Sequence, residues 1–248
     1  MTELDQDDNG NSKLNNQNAS YLTRSWFRLL RFGFRLLYNE LAWTYDSVSW
    51  LVSLGHWREW QRCAIPYLEG QHVLEIAHGP GHLMVDLRQG GFQAYGLDLS
   101  PYMGRQAHKN LRKANQSAPL TRGDVGALPY ASGSFESVVS TFPAEFIIYE
   151  DSIRELKRIL VPGGRIVIVP EARLKGDGLL HRFIGWLFTT TGQRANPADD
   201  GWLAQLWIEA ERRFRVVGLA TTIEKVDLDN SEVMVVVLTK PSEKDVQP

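Results

Sequence analysis

The sequence predicts an α/β fold of the Rossmann type: a seven-stranded, mostly parallel sheet with helices on both faces and an added N-terminal helical cap. Three observations predict it. Val73-Leu74-Glu75-Ile76 is an apolar run suited to a strand buried on both faces, and it passes through Gly79-Pro80-Gly81 into the helix-opening His82-Leu83-Met84-Val85. Further short apolar runs, separated by helical patterns, end in carboxylates, as repeated βαβ units allow. The 248 residues, 43% of them hydrophobic, suffice for one sizeable core rather than two.

Taken in order, residues 1–20 are acidic and asparagine-rich, with Glu3, Asp5, Asp7 and Asp8 but few large apolar groups, so a disordered tail is expected. Residues 21–68 are expected to form the helical cap. Within it, Arg24 to Asn39 carries four arginines and no acid. At 100° per residue Arg24, Arg28, Arg31 and Arg35 fall in a wedge of about 60°, with most of the large apolar side chains of Trp26, Phe27, Leu29, Leu30, Phe32, Phe34, Leu36 and Leu37 opposite. Such a cationic amphipathic helix can roof an active site or lie in an anionic membrane surface. The main domain is expected over 69–243. Its second strand, Gly91 to Asp98, ends in a carboxylate 23 positions after Glu75. Ser100 is then a candidate N-cap, with Pro101 at the first helical position. A short third strand precedes Arg122-Gly123-Asp124, a fourth spans Gly133 to Ser140, and Leu156 to Arg165 leads into the fifth. Leu179 to Phe188 is too short to span a bilayer and reads either as an apolar acceptor chamber or as core packing. A helix from Trp202 to Phe214 and strands near Arg215 to Asp227 and Val233 to Lys240 close the domain.

The glycine turn could serve a dinucleotide, and charge separates the alternatives. A pyrophosphate is attracted to helix N-terminal amides and repelled by a carboxylate such as Glu75. Met84 also stands where the dinucleotide pattern requires its third glycine. A carboxylate suits instead the ammonium or sulfonium of S-adenosylmethionine. An acid at Asp98 can hold both ribose hydroxyls, Met103 is placed to lie against a flat ring, and Asp124 can accept a hydrogen bond from an adenine amino group.

On these residues the chain resembles the class I S-adenosylmethionine-dependent methyltransferases over roughly residues 70 to 170. The family's D/E-x-G-x-G-x-G pattern is matched at Glu75, Gly79 and Gly81 and departs at Ala77, where alanine disfavours positive φ and is expected to reshape the turn slightly while binding is kept. Gly133 to Ser140 and Leu156 to Arg165 match later family signatures. Upstream, Tyr45-Asp46, Ser53-Leu54-Gly55 and Trp57 are similar to a covering segment of the quinone-biosynthesis C-methyltransferases, within the methyltransferase type 11 group. The resemblance implies S-adenosyl-L-methionine as cofactor, held by Tyr45, Glu75, Ala77, His78, Gly79, Gly81, Asp98, Leu99, Met103, Asp124, Val125 and Thr141. The substrate does not follow from the resemblance, since the same covering segment serves enzymes acting on many small acceptors; the expected acceptor is small and apolar, quinone-like or lipid-like, with His56, Glu145, Tyr149, His181, Phe183 and Trp186 as its candidate contacts.

Other features narrow the classes. One cysteine, Cys63, excludes an internal disulfide framework. A net charge of −2 gives no general pull toward nucleic acid. No apolar run reaches the roughly 18 residues of a membrane span, and no signal-peptide pattern opens the chain, so the expected location is cytoplasmic, with membrane association through residues 24–39. His78 and His82 flank a helix-breaking turn, so no shared metal is expected. His56 and His181 are candidate general bases, although a lone histidine is more often structural. Methyl transfer by in-line displacement needs chiefly an aligned nucleophile and exclusion of water. A thiol, phenol or amine acceptor is the alternative substrate, and a non-catalytic sensor or scaffold binding S-adenosylmethionine or its product is the alternative class.

Overall fold

The computed structural model describes residues 53–175 and 210–242. The chain enters with a short helix, α1 (Trp57–Arg62), and a 3-10 turn at Ile65–Tyr67. There follow β1 (His72–Ile76), α2 (His82–Gln89), β2 (Gln93–Asp98), α3 (Pro101–Lys113) and β3 (Leu120–Arg122). Then come β4 (Phe135–Thr141), a 3-10 turn at Glu145–Ile148, α4 (Glu150–Ile159), β5 (Leu160–Val169) and β6 (Ala172–Leu174). Helical residues 210–216 (α5), β7 (Ala220–Asp227) and β8 (Ser231–Thr239) close the fold.

The strands form one eight-stranded sheet in which β3, β2, β1, β4 and β5 run parallel in that spatial order. β8 is antiparallel to β5 and carries β7 on its other edge. The expected seven strands become eight because β6 continues the β5 edge: β8 pairs with β5 through Val236–Thr239 and with β6 through Ser231–Val233. Pro170 and Glu171 interrupt the run between them. The fourth and fifth strands, the capped start of α3 and the last strand fall where the sequence put them, whereas β7 begins at Ala220 rather than near Arg215, because the preceding helix runs through residue 216.

Alternation along the strands assigns side chains to two layers. Leu74 and Ile76 of β1 face Ile153, Leu156 and Ile159 of α4 and Phe214 of α5. Val73 and Val139 face the other way, toward Trp60 of α1, Ala64 just beyond it, Leu83, Met84 and Leu87 of α2 and Leu111 of α3. Helices therefore cover both faces, and parallel strands buried on both sides need the near-continuous apolar runs that β1, β4 and β5 carry.

α1 is fastened to this scaffold by polar side chains. Arg58 and Arg62, one helical turn apart, both grip the Asp86 carboxylate of α2 bidentately at 2.7–3.0 Å. Burial alone would raise the Asp86 pKa, but hydrogen bonds and charge from the two arginines outweigh it and hold that carboxyl below its ordinary value. The indole N–H of Trp60 donates to Ser231 Oγ at 2.8 Å inside the core. Three of the expectations, the tail at 1–20, the amphipathic helix at 24–39 and most of the cap at 21–68, lie outside the described residues, as do the stretch 179–188 and residues 202–209 of the expected helix.

Candidate cofactor and acceptor site

Strand order reverses between β1, whose chain continues to β2 on one side, and β4 on the other. In open α/β sheets that reversal opens a crevice at the carboxyl ends of the strands, where ligands bind. The turn after β1 lies there. Ala77, Gly79 and Gly81 all adopt left-handed φ, at +54°, +53° and +77°. The departure at Ala77 thus leaves the left-handed turn in place, with the alanine itself taking a conformation that usually favours glycine and its N–H donating to the Leu97 carbonyl at 2.8 Å. A side chain at Gly79 would meet no atom within 4 Å, whereas one at Gly81 would come within 2.8 Å of Ala107 Cβ. Gly79 thus faces open space, and Gly81 permits α2 and α3 to approach.

The carboxylates converge on this turn. Glu75 is 1% exposed, and among the described residues its Oε2 has no hydrogen-bond partner. Burial first, then the charges of Asp98 and Asp86, push its carboxyl well above the usual carboxylate range. A buried acceptor held in this way answers a cationic donor. Asp98 accepts from Gly79 N at 2.9 Å and from Ser100 N at 2.8 Å, so its carboxylate ties the glycine turn to the start of α3. Its carbonyl accepts from Gly123 N at 3.2 Å, which joins the β2 and β3 ends. Asp124, exposed on that neighbouring end, accepts from Gly126 N at 2.9 Å. Three acids therefore stand on the ends of three adjacent strands.

The remaining predicted contacts divide. Leu99 is 65% exposed at the rim between Asp98 and α3, available to cover a flat ring, and its carbonyl accepts from Arg122 Nε. Val125 is buried beside Asp124. Met103, by contrast, is wholly buried in α3. Its N–H donates to Ser100 Oγ at 3.4 Å, which is the predicted N-cap, and the side chain packs in the interior. His78 is also buried, its ring against Gly96 on the sheet, where a Cβ would lie 2.8 Å from His78 Cδ2. Its Nδ1 bonds the Gly79 carbonyl at 2.8 Å, and burial holds its pKa below the ordinary value despite the opposing charge of Asp98. His78 therefore braces the turn through its ring, while its backbone lines it. Among the described residues no group of three or more His, Cys, Asp or Glu side chains is placed to hold a metal ion.

On the opposite wall, Thr141 ends β4 and accepts from Gln61 Nε2 of α1 at 3.0 Å. Phe142, at φ +51°, turns the chain so that its ring packs on Trp57 of α1, with centroids 4.2 Å apart. α1 thereby covers the β4 end with aromatic surface. His56, at the N-cap of α1, has Nδ1 2.8 Å from Glu59. Glu145 and Tyr149 bracket the 3-10 turn beyond β4, both exposed, the latter by 53%. Tyr45, His181, Phe183 and Trp186 lie outside the described residues. Sequence reasoning missed Gln61, Asp86 and the Trp57–Phe142 contact. The i, i+4 spacing of Arg58 and Arg62 was the readable signal for an acidic partner, whereas nothing marked Gln61.

Comparison with known proteins places this geometry. Residues 74–168 match the family model of a methyltransferase domain. The demethylmenaquinone methyltransferase of Thermus thermophilus is 32% identical over 153 residues, 58% of this chain and 70% of that protein. The ubiquinone/menaquinone biosynthesis C-methyltransferase of Paracoccus denitrificans is 30% identical over 192 residues, 71% of this chain and 74% of its own length. Other relatives are spanned less fully: the match covers 57% of the demethylmenaquinone methyltransferase of Deinococcus radiodurans. A solved structure from Methanococcus maripaludis, described as an S-adenosyl-L-methionine-dependent methyltransferase, has a TM-score of 0.59 at 20% identity, covering 83% of this chain and 94% of its own. At that identity the likeness speaks to the fold.

Proposed function

The chain belongs to the class I S-adenosylmethionine-dependent methyltransferases, and on that premise we propose that it methylates a small apolar acceptor of quinone-like character. S-adenosylmethionine is the cofactor, and when bound it supplies an electrophilic methyl group on a sulfonium. The observation that carries the reading is Glu75, a buried carboxyl with an unpartnered oxygen beside a left-handed glycine turn at the strand reversal. That arrangement fits the cationic methionyl end and would oppose a pyrophosphate. We assign the ribose hydroxyls to Asp98, one face of the adenine to Leu99, and the adenine edge to the Asp124–Val125 segment.

The acceptor class is argued from two supports. The relatives named above include a demethylmenaquinone methyltransferase and a C-methyltransferase of ubiquinone/menaquinone biosynthesis. The crevice is also walled by Trp57 and Phe142, and aromatic surface of this kind suits a flat apolar ring. The protein's part is to orient the acceptor, exclude water and take a proton from an acceptor hydroxyl. His56 is our candidate for the last role: with Nδ1–H held by Glu59, its Nε2 is left to accept. Segment 24–39 is proposed to bring the enzyme to the membrane phase where such acceptors partition.

The test is transfer of labelled methyl to a panel containing a demethylated naphthoquinol, a phospholipid, a phenol, a thiol and an amine. Methylation of the quinol on carbon at the highest rate is the expected result. Preference for the thiol or amine would overturn the acceptor class. Tight binding of S-adenosylhomocysteine with transfer to none of them would favour the sensor.

A further inference from the structure

We propose that Gln61, on α1, is a second acceptor for the ammonium of the cofactor's methionyl end, acting with Glu75. The proposal rests on the S-adenosylmethionine reading above. Gln61 is 8% exposed; its Nε2 is used by Thr141, and its Oε1 has no hydrogen-bond partner among the described residues. Buried acceptors without donors are rare, and two of them stand at this crevice, Gln61 Oε1 and Glu75 Oε2.

Sheet register puts both at one place. Glu75 is paired with Val139 across β1 and β4, so the two share the face covered by α1, α2 and α3. Thr141 is two residues further along β4, on that same face and about 7 Å beyond. Gln61 reaches that position from α1, whose placement is fixed independently by Arg58, Arg62 and Trp60. The oxygen without a donor is thus carried to the carboxyl end of β4, beside the end of β1 that carries Glu75.

The chemistry of the pair selects the ligand group. Gln61 Oε1 accepts and cannot donate, and Glu75 Oε2 accepts once its carboxyl ionises, so a carboxylate or a phosphate, which brings negative charge and no N–H, gains nothing from the pair. An ammonium offers three N–H donors and a charge that the carboxyl oxygen favours. Of the groups on the cofactor, only the methionyl ammonium combines these. Gln61 thereby couples α1, which covers the β4 end, to occupancy of the cofactor site.

The variant Gln61→Leu keeps the volume and removes the acceptor. Calorimetric titration would use S-adenosylhomocysteine, which carries the ammonium, and 5′-methylthioadenosine, which lacks the amino-acid end. The expected result is a ten- to hundredfold weaker affinity for the first and a change below about twofold for the second. Undiminished binding of S-adenosylhomocysteine, or equal loss of both ligands, would overturn the assignment. Gln61→Glu retains an acceptor oxygen and serves if the leucine variant does not fold: it should bind S-adenosylhomocysteine at least as tightly as wild type, and a tenfold loss would refute the role. If wild-type protein bound neither ligand, the cofactor reading itself would fail, and this proposal with it.

Discussion

Replacing Asp98 by alanine should weaken the protein in two separable ways. In the folded chain both oxygens of that carboxylate are already engaged, one by Gly79 N at 2.9 Å and the other by Ser100 N at 2.8 Å. Each is a charge-assisted bond to a part-buried backbone donor, of the kind that contributes about 1.5 kcal/mol or more. Some of that returns when the freed N–H groups are rehydrated, so the apo protein should lose about 2 kcal/mol of folding stability. For a chain of this size that lowers the melting temperature by about 4–8 °C. The second effect is on the ligand. A carboxylate that also holds two ribose hydroxyls contributes a further 1–3 kcal/mol or so to binding, about ten- to a hundredfold in affinity. Differential scanning calorimetry of the apo variant and titration with S-adenosylhomocysteine read the two terms independently. An unchanged melting temperature with weakened binding would show that the tether to the glycine turn carries no stability. Unchanged affinity would refute the ribose assignment.

Asp86→Ala should release α1 and destabilise the fold by about 2 kcal/mol, a moderate figure because Arg58 and Arg62 are each about half exposed and regain water. Because the folded Asp86 pKa is depressed, its contribution is present above the unfolded value of about 4 and is lost as pH falls through the folded one, so wild type and variant should converge in acid melts. For Glu75 the sign reverses: its folded pKa is raised, so the apo chain loses stability as pH climbs from about 4.3 toward the folded value. Binding an ammonium there favours the ionised carboxyl, so below the raised folded pKa S-adenosylhomocysteine affinity should rise with pH, with proton release detectable in buffers of different ionisation enthalpy; a flat profile in wild type, or the same slope in Glu75→Gln, would contradict this. Ala77→Gly relieves about 1 kcal/mol of left-handed strain but gives the unfolded chain more freedom, so melting should move by less than about 2 °C and affinity should hold. A large loss of binding would mean that the alanine methyl itself contacts the ligand.

The reading of individual residues shows where sequence sufficed. Ser100 and Pro101 announced the start of α3 because N-capping depends on three or four neighbouring residues. The acids near the ends of β1 and β2 were legible because a carboxylate closing an otherwise apolar strand run stands out in the sequence, although Glu75 itself stays buried. Met103 and His78 were placed toward a ligand on the basis of spacing from the motif; in the folded chain both side chains are buried, that of His78 with its ring against Gly96. Gln61 gave no signal at all, since a glutamine on a polar-looking helix is ordinary until a distant strand end meets it.

By itself, then, the chain's local chemistry determined the α/β class, the glycine turn and the set of strand-end acids, all of which follow from hydrophobic periodicity and from residues close together in sequence. Only the tertiary structure decided which groups share one crevice. Gln61 and Thr141 are 80 positions apart, Arg58 and Asp86 28, and Trp60 and Ser231 171. Their contacts exist because apolar burial docks α1 across the sheet, and the orientation of a docked helix is set by everything packed beneath it rather than by its own sequence.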